Sequence, residues 1–505
     1  MKNTFLFLAA ALVVLSSCKE DIATADALNL VPSTATSVTA VRLDQMMEKA
    51  DFEQVKTMGF YQDLLEDVDD PAIAAILRDP EASGLALEHP LYLVNEINPQ
   101  DFEESLIVGV ATLRDADQFA GILANLPGEN ASGSGFNYRQ VNRQSLVAWT
   151  DEAVLAFNTP GYLNLQERAT EWLSGEREDK GLTEEKTLRE VLGKNADIST
   201  WATLNALGSN MQVKMMAGML NIPAEALQGN YATSFVNFEK GQVSGFGYLD
   251  FNDDLTKDIR RLVKDEVEAD FEEFIPKENL FFAMTAALDA RGIDEIFANN
   301  PMYRGFADQA LSEYGTSTAE LLKAFDGDVL FTAHEQPGSK APMLTFATEI
   351  KDRTVFDKLV GLLEGQRLFT RTGENTWTVP QSSMSGTASV QLADDMLFIA
   401  DDPNHLARLV DGGYGNSDQL DGDAGEWLDD HVAGFYLDFA TMFRMFNPDG
   451  SAGLRDVKPL ADVLDNLVIG VDREESESHL NLKRDDVNSL KALLEMADRM
   501  YRENQ

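Results

Sequence analysis

The chain predicts an α+β fold of two similar, duplicated domains, each with a mainly antiparallel sheet and packed helices. Three observations lead there. Strand-like runs such as Gln242-Val243-Ser244-Gly245-Phe246-Gly247-Tyr248-Leu249 alternate polar and apolar residues, the period of a sheet with one face packed. The runs are joined by polar turns, with no regular strand-helix-strand alternation through Gly-rich turns, which excludes a doubly wound parallel sheet. One order of elements also occurs twice along the chain, the signature of an internal repeat.

The paired elements follow in order. Leu30-Val31-Pro32 opens an apolar strand over Ser37 to Leu43 that ends in Asp44 and a helical pattern; Phe274-Ile275-Pro276 opens a second over Leu280 to Leu288, ending in Asp289 and a helix. Leu106 to Leu113 reads as a strand, followed by Arg114-Asp115 and an amphipathic helix carrying Phe119, Ile122 and Leu123. Met343 to Ile350 is its counterpart, followed by Lys351-Asp352 and a helix carrying Phe356, Leu359 and Val360. Asp115 and Asp352 are placed to cap those helices, accepting from free amides of the first turn.

A hairpin comes next in each half, Ser145 to Phe157 before Pro160 and Ser389 to Ala400 before Pro403. Ile198 to Ala206 then parallels Val432 to Ala440. The closing hairpins are Phe235 to Phe251, turning at Glu239-Lys240-Gly241, and Leu467 to Leu482, turning near Arg473 to Ser476. Helical patterns follow both, at Leu255 to Val267 and Val487 to Met500. The expected organisation is a signal peptide over 1–17, a lipidated tether over 18–29, a first repeat over 30–270 and a second over 271–505.

Composition narrows the function classes. Of 505 residues, 41 are Lys or Arg and 85 are Asp or Glu, a net charge of −44. Nucleic-acid binding is excluded as an expectation, because it rests on cations that neutralise phosphates. Hydrophobic residues at 44% and charged residues at 25% match a folded protein and exclude wholesale disorder. A single cysteine excludes a disulfide scaffold and a Cys-based zinc site. The excess charge is read as a solubilising, self-repelling surface.

That cysteine is Cys18. Lys2 and the uncharged run Phe5 to Leu15 form the charged and apolar regions of a secretory signal, since the run falls short of the roughly 20 residues a bilayer span needs. No later stretch reaches that length, so no transmembrane helix is expected. Leu15-Ser16-Ser17-Cys18 resembles the bacterial lipobox. The resemblance implies cleavage before Cys18 and fatty acylation, as by palmitate, of its thiol and new amine. Lys19-Glu20-Asp21 resembles the surface-export signal of Bacteroidota lipoproteins. It implies an outer-membrane lipoprotein on the cell surface, the periplasmic face being the alternative. Together with Leu30-Val31-Pro32 and Thr39-Ala40-Val41-Arg42-Leu43-Asp44, these residues resemble a family of Bacteroidota cell-envelope lipoproteins known as a domain of unknown function. That resemblance brings no catalytic residues.

The residues themselves carry little catalytic chemistry. There is no phosphate-cradling Gly-rich loop, no Gly-x-Gly-x-x-Gly, no Gly-x-Ser-x-Gly elbow and no His-Glu-x-x-His. Five scattered histidines, His89, His334, His405, His431 and His479, form no short-spaced metal pair. His431 beside Asp429 and Asp430 is the one acid-base dyad on offer, with a surface histidine as the ordinary reading. The acidic loop Asp418 to Asp430 fails the EF-hand test begun at Asp421, because Glu426 and Val432 stand where Gly and Glu are needed. Asn447-Pro448-Asp449-Gly450 reads as a turn. Trp149, Trp201 and Trp377 are expected in the core, while Trp172 and Trp427, beside acidic segments, are the candidates to stack on a sugar. Met211 to Met219 reads as a Met-rich packing helix.

No catalytic residue, cofactor or metal site is therefore expected. The leading expectation is a non-catalytic scaffold or binding protein, held at the membrane through Cys18, with a protein or glycan partner left open. One alternative is a hydrolase of envelope or nutrient polymers that uses a carboxylate pair in a cleft, one member with a raised pKa. Another is a carrier of a lipid or peptide, recognised by a large apolar cavity between layers.

Overall fold

The computed structural model describes residues 26–503 apart from 69–70, 134, 174–181, 183–184, 206–213, 216, 219–221, 300, 314, 337–340, 381–386, 412–419, 421 and 447–457. Cys18, Lys19, Glu20 and Asp21 lie outside the described residues. So do most of Met211 to Met219, the Asn447 to Gly450 turn, and Asp418 and Asp421.

The chain divides into two compact units. Unit 1 takes Met1–Val213, Leu227–Asp250 and Leu482–Gln505; unit 2 takes Lys214–Ala226 and Phe251–Asn481. The expected cut at 270/271 therefore falls inside unit 2. The helix Ser489–Glu503, expected in the second repeat, packs in unit 1 on the helices Leu43–Ala50 and Gly59–Asp67. Its Leu490 and Leu494 join the core there. In the other direction, the segment after the last strand of unit 1 belongs to unit 2, where Lys264 N–H donates to Ala287 O at 3.0 Å and Asp289 N–H to Leu262 O at 2.9 Å.

Unit 1 holds β1 (Ser37–Val41), β2 (Leu91–Glu96), β3 (Leu106–Thr112), β4 (Asn130–Ser132), β5 (Asn137–Asn142), β6 (Ser145–Trp149), β7 (Ala153–Asn158), β8 (Ile198–Thr203), β9 (Tyr231–Phe238) and β10 (Gln242–Asp250). They pair antiparallel in the order β4-β5-β6-β7-β3-β2-β1-β8-β9-β10. Unit 2 holds β11 (Leu280–Ala287), β12 (Phe325–His334), β13 (Met343–Ile350), β14 (Thr370–Gly373), β15 (Thr376–Pro380), β16 (Thr387–Ala393), β17 (Met396–Ala400), β18 (Ala433–Asp438), β19 (Leu464–Val471) and β20 (Glu475–Leu482). Their order is β14-β15-β16-β17-β13-β12-β11-β18-β19, again antiparallel, with β20 beside β19. The fold is α+β, and each strand of unit 1 has a counterpart ten strands later in the same place.

The caps form where the sequence puts them. Asp115 accepts from Gln118 N–H at 2.9 Å to start the helix Ala116–Leu123, and Asp352 accepts from Val355 N–H at 3.0 Å to start Arg353–Gly365.

Both faces of each sheet are covered. In unit 1, Val108, Val110, Leu155 and Phe157 face one core and Ala111, Val154 and Trp149 the other, so β6 is buried at every position. In unit 2, Leu330, Ala347, Phe398 and Ala400 face one core, and Ile350, Leu392 and Leu397 the opposite one. Among the described residues, no helix is long and apolar enough to cross a membrane.

Candidate functional site

An apolar cavity of about 630 Å³ lies within unit 2, between the sheet and its helical layer. The period-2 alternation that sends Phe398 and Ala400 to the packed core turns Leu397 and Ile399 the other way, into this space. Phe346 on β13 and Val329 on β12 join them from the sheet. The roof is made by four helices. Ile293 comes from Ala290–Asn299, Leu311 from Pro301–Ser312, Leu321 and Leu322 from Thr318–Ala324, and Leu359 and Leu363 from Arg353–Gly365. The volume lies within the roughly 300–1,000 Å³ of small-molecule sites, and its walls are almost wholly apolar.

Gly327 sits on the wall with φ +117°, and a Cβ there would come within 1.9 Å of Leu288 O. Only glycine lets β12 pass the end of β11 this closely.

A second, charged pocket of about 580 Å³ adjoins the first. The two share Ala290, Leu322 and Phe325 as a common wall. At its base, oxygens of Glu268, Asp326 and Asp328 lie within 4.8 Å of one another, the spacing of a metal-ligand set. The Lys264 ammonium occupies their midst, 3.0 Å from Glu268 and 3.0 Å from Asp328 and in contact with Asp326. Burial works against its charge, but hydrogen bonds to Glu268 and Asp328 outweigh that and hold its pKa above the ordinary value. Asp328 is fully buried and also accepts from Glu268 N–H at 2.8 Å and Ala269 N–H at 3.0 Å. The cluster is a closed ion-pair network, with Lys351 on its outer side against Asp326.

The expected dyad takes a different form. His431 Nδ1 lies 3.0 Å from Asp472 Oδ2, a residue 41 positions on, and not against Asp429 or Asp430. Asp429 instead accepts from Glu272 N–H at 3.1 Å. Burial first, and then the charges of Asp270, Glu272 and Asp430, push its carboxyl up to about 7. It lines neither cavity.

The tryptophans divide differently from expectation as well. Trp149, Trp201 and Trp377 are core residues. Trp172, a sugar-stacking candidate by its polar neighbours, is also buried, its ring edge-on to Phe157 at 5.6 Å. Trp427 is half-buried against His479, ring centroids 4.6 Å apart. Met215 is exposed, against the expected packing role.

A buried histidine pair went unseen in the sequence. His334 at the end of β12 and His405 in the helix Pro403–Val410 lie with ring centroids 5.1 Å apart. Each Nε2 meets a threonine hydroxyl, Thr332 at 2.8 Å and Thr345 at 2.9 Å. Burial, and secondarily the other ring, pushes His334 down to about 3. Burial also takes His405 down to about 4, with Asp402 acting in the opposite sense. Both are neutral at physiological pH. Their separation along the chain leaves no local signal by which to find them.

Comparison with known proteins follows this geometry. Residues 28–403 match the family model described as Domain of unknown function (DUF4836), and the chain belongs to that family. No curated protein matches it. Among solved structures, crystal form I of TP0453 is similar with 9% identity and a TM-score of 0.27, covering 46% of this chain and 81% of that one. Crystal form III of TP0453 gives 11% identity and a TM-score of 0.28, covering 48% and 89%.

Proposed function

We propose, for this member of a family of unknown function, a non-catalytic lipid-anchored envelope protein whose second unit holds the acyl chain of a lipid. The observation that carries the reading is the apolar cavity between the sheet and the helical roof of unit 2. A methylene chain needs no directional partner. Each methylene transferred from water contributes about 0.8 kcal/mol, so some ten buried methylenes reach about 8 kcal/mol before the costs of association.

The anchor is read from Leu15-Ser16-Ser17-Cys18, with Cys18 acylated, and surface display from Lys19-Glu20-Asp21. The two units are read as a duplication, supported by their common strand order. In that reading unit 1 is the structural half and unit 2 the binding half.

The test is displacement of a fluorescent fatty acid from the purified mature chain. Val329→Trp places an indole in the cavity from β12 and should abolish probe binding while leaving the melting temperature within a few degrees. Probe binding unchanged in Val329→Trp would overturn the acyl reading. For the anchor, Cys18→Ala should move the protein from the membrane to the soluble fraction; retention on membranes would overturn it.

A further inference from the structure

We propose that the occupant of the cavity is an acyl phospholipid with a zwitterionic head, its chain among the apolar residues and its head in the adjoining charged pocket. This rests on the acyl-chain reading above and adds the class of the ligand.

The argument starts at the common wall. Ala290, Leu322 and Phe325 face both spaces, and each is followed in sequence by a charged residue, Arg291, Lys323 and Asp326. Apolar and charged surface therefore meet at these three residues, on two helices and the start of β12. A molecule that crosses there must be amphiphilic, with its charge within a few bonds of its chain.

The free charges define the head. This pocket is lined by four cations, Lys264, Arg291, Lys323 and Lys351, and by five carboxylates. Two are committed to the network of Glu268, Asp326 and Asp328. Two are not. The nearest carboxylate to Arg291 is that of Asp289, at a loose 3.9 Å with the guanidinium side chain 86% exposed. Lys323 forms no ion pair among the described residues and stands in the last turn of Thr318–Ala324.

Among the anions, Asp289 is taken up by the start of its helix, accepting from Arg291 N–H at 2.9 Å and Gly292 N–H at 3.1 Å. Asp294 is engaged by Arg304 at 3.3 Å, but Glu295 has no ion-pair partner among the described residues and lines the same pocket. Glu295 is four residues from Arg291 on one helix, so the two project from the same face. The two cations and one carboxylate left unpaired around this space are complementary to a phosphate joined to an ammonium. A fatty acid would leave Glu295 unanswered, and a neutral lipid would leave all three. The guanidinium suits the phosphate, whose oxygens it can meet in pairs.

The experiment uses the mature chain with a fluorescent fatty acid bound. Competitors are 1-palmitoyl lysophosphatidylethanolamine and palmitoyl lysophosphatidate, each below its micelle concentration, and hexadecanol below its solubility limit. The ethanolamine lipid should displace the probe at the lowest concentration. With each midpoint corrected for the probe's own affinity in that variant, Arg291→Glu with Lys323→Glu should weaken both phospholipids about tenfold or more and leave hexadecanol unmoved. Glu295→Gln should weaken only the ethanolamine lipid, several-fold. All three residues are exposed, so the variants should keep the parent melting temperature.

Hexadecanol matching the ethanolamine lipid, or midpoints unmoved by the double variant, would overturn the head assignment while the chain site stands. Glu295→Gln affecting both phospholipids alike, or neither, would overturn the zwitterion. If Val329→Trp keeps full probe binding, the acyl reading itself fails.

Discussion

The buried His334–His405 pair should make unit 2 acid-sensitive well above the range where carboxylates protonate. The perturbation is a change from pH 7 to pH 5. In the unfolded chain both imidazoles take their ordinary pKa of 6.5, while in the fold burial lowers them to about 3 and about 4. Between those values the unfolded state binds more protons, so stability is complete above pH 6.5 and declines as pH falls. The loss levels off only near pH 4 for His405 and pH 3 for His334. Each histidine costs about 1.4 kcal/mol per pH unit below 6.5, hence about 2 kcal/mol by pH 5 and about 4 kcal/mol for the pair as a ceiling. Asp429 acts in the opposite sense. Its carboxyl is raised from 3.8 to about 7, so the cost of burying it shrinks over the same interval and masks part of the histidine effect. The assay must therefore be differential. Urea unfolding of the parent, His334→Asn and His405→Gln, followed by amide exchange across β12 and β13, gives the stability difference at each pH. Relative to each variant, the parent should lose about 2 kcal/mol between pH 7 and pH 5. A difference that stays flat across that interval would refute the reasoning, since it would mean that the imidazoles gain protons inside the fold.

Three further outcomes can be checked by urea or thermal unfolding. Asp429→Asn keeps an acceptor for Glu272 N–H and removes the buried acid, so it should stabilise the protein by about 2–4 kcal/mol at pH 8 and by little at pH 4; equal effects at both pH values would contradict this. Lys49 holds the fully buried Asp197 through contacts of 2.7 and 2.6 Å. Lys49→Met should cost about 3 kcal/mol by stranding the carboxylate, and adding Asp197→Asn should recover part of it; no recovery would show that the charge is not the cause. Gly84 has φ +79°, and a Cβ there would lie 2.4 Å from Asp115 O. Gly84→Ala should destabilise by about 1–3 kcal/mol, and a neutral result would disprove the close approach.

The elements themselves were legible because their causes are local. Met343 to Ile350 is a strand to the residue, and Asp115 and Asp352 cap their helices because an Asp ahead of an amphipathic run needs no distant partner. What could not be read depends on residues that approach from far along the chain. The sequence sets His431 beside Asp429 and Asp430, yet the hairpin of β19 and β20 delivers Asp472 to it. Lys264 belongs by sequence to the first repeat, but its segment runs beside β11, 62 residues short of the Asp326 it contacts. Trp172 sits among charged residues and is nonetheless buried, because the inner face of Leu165–Leu173 rests on Phe157. The cavity is hidden for another reason. The apolar pattern of Leu359, Leu363, Leu397 and Ile399 says which way these side chains face. It does not say whether anything meets them there.

The two units answer that last question differently on the same face of the same strand order. In unit 1, the face that carries Val154 is filled by Met46, Phe52, Met58 and Tyr61, with Phe52 edge-on to Tyr61 at 5.8 Å and the Tyr61 hydroxyl donating to Leu77 O at 2.7 Å. Leu490 and Leu494 of the C-terminal helix add to it. In unit 2 the equivalent face carries Leu397 and Ile399 on β17, under helices of which Pro301–Ser312 shows only half-buried or exposed side chains where they are described. A half-open apolar pocket of about 630 Å³ lies between sheet and helices. The pocket keeps apolar walls within reach of solvent, a cost that the larger side chains of unit 1 avoid. The sheet is the constant part and the helical cover the variable part. The apolar pocket therefore follows from what roofs the sheet, and Ala290, Leu322 and Phe325 set it beside the charged one.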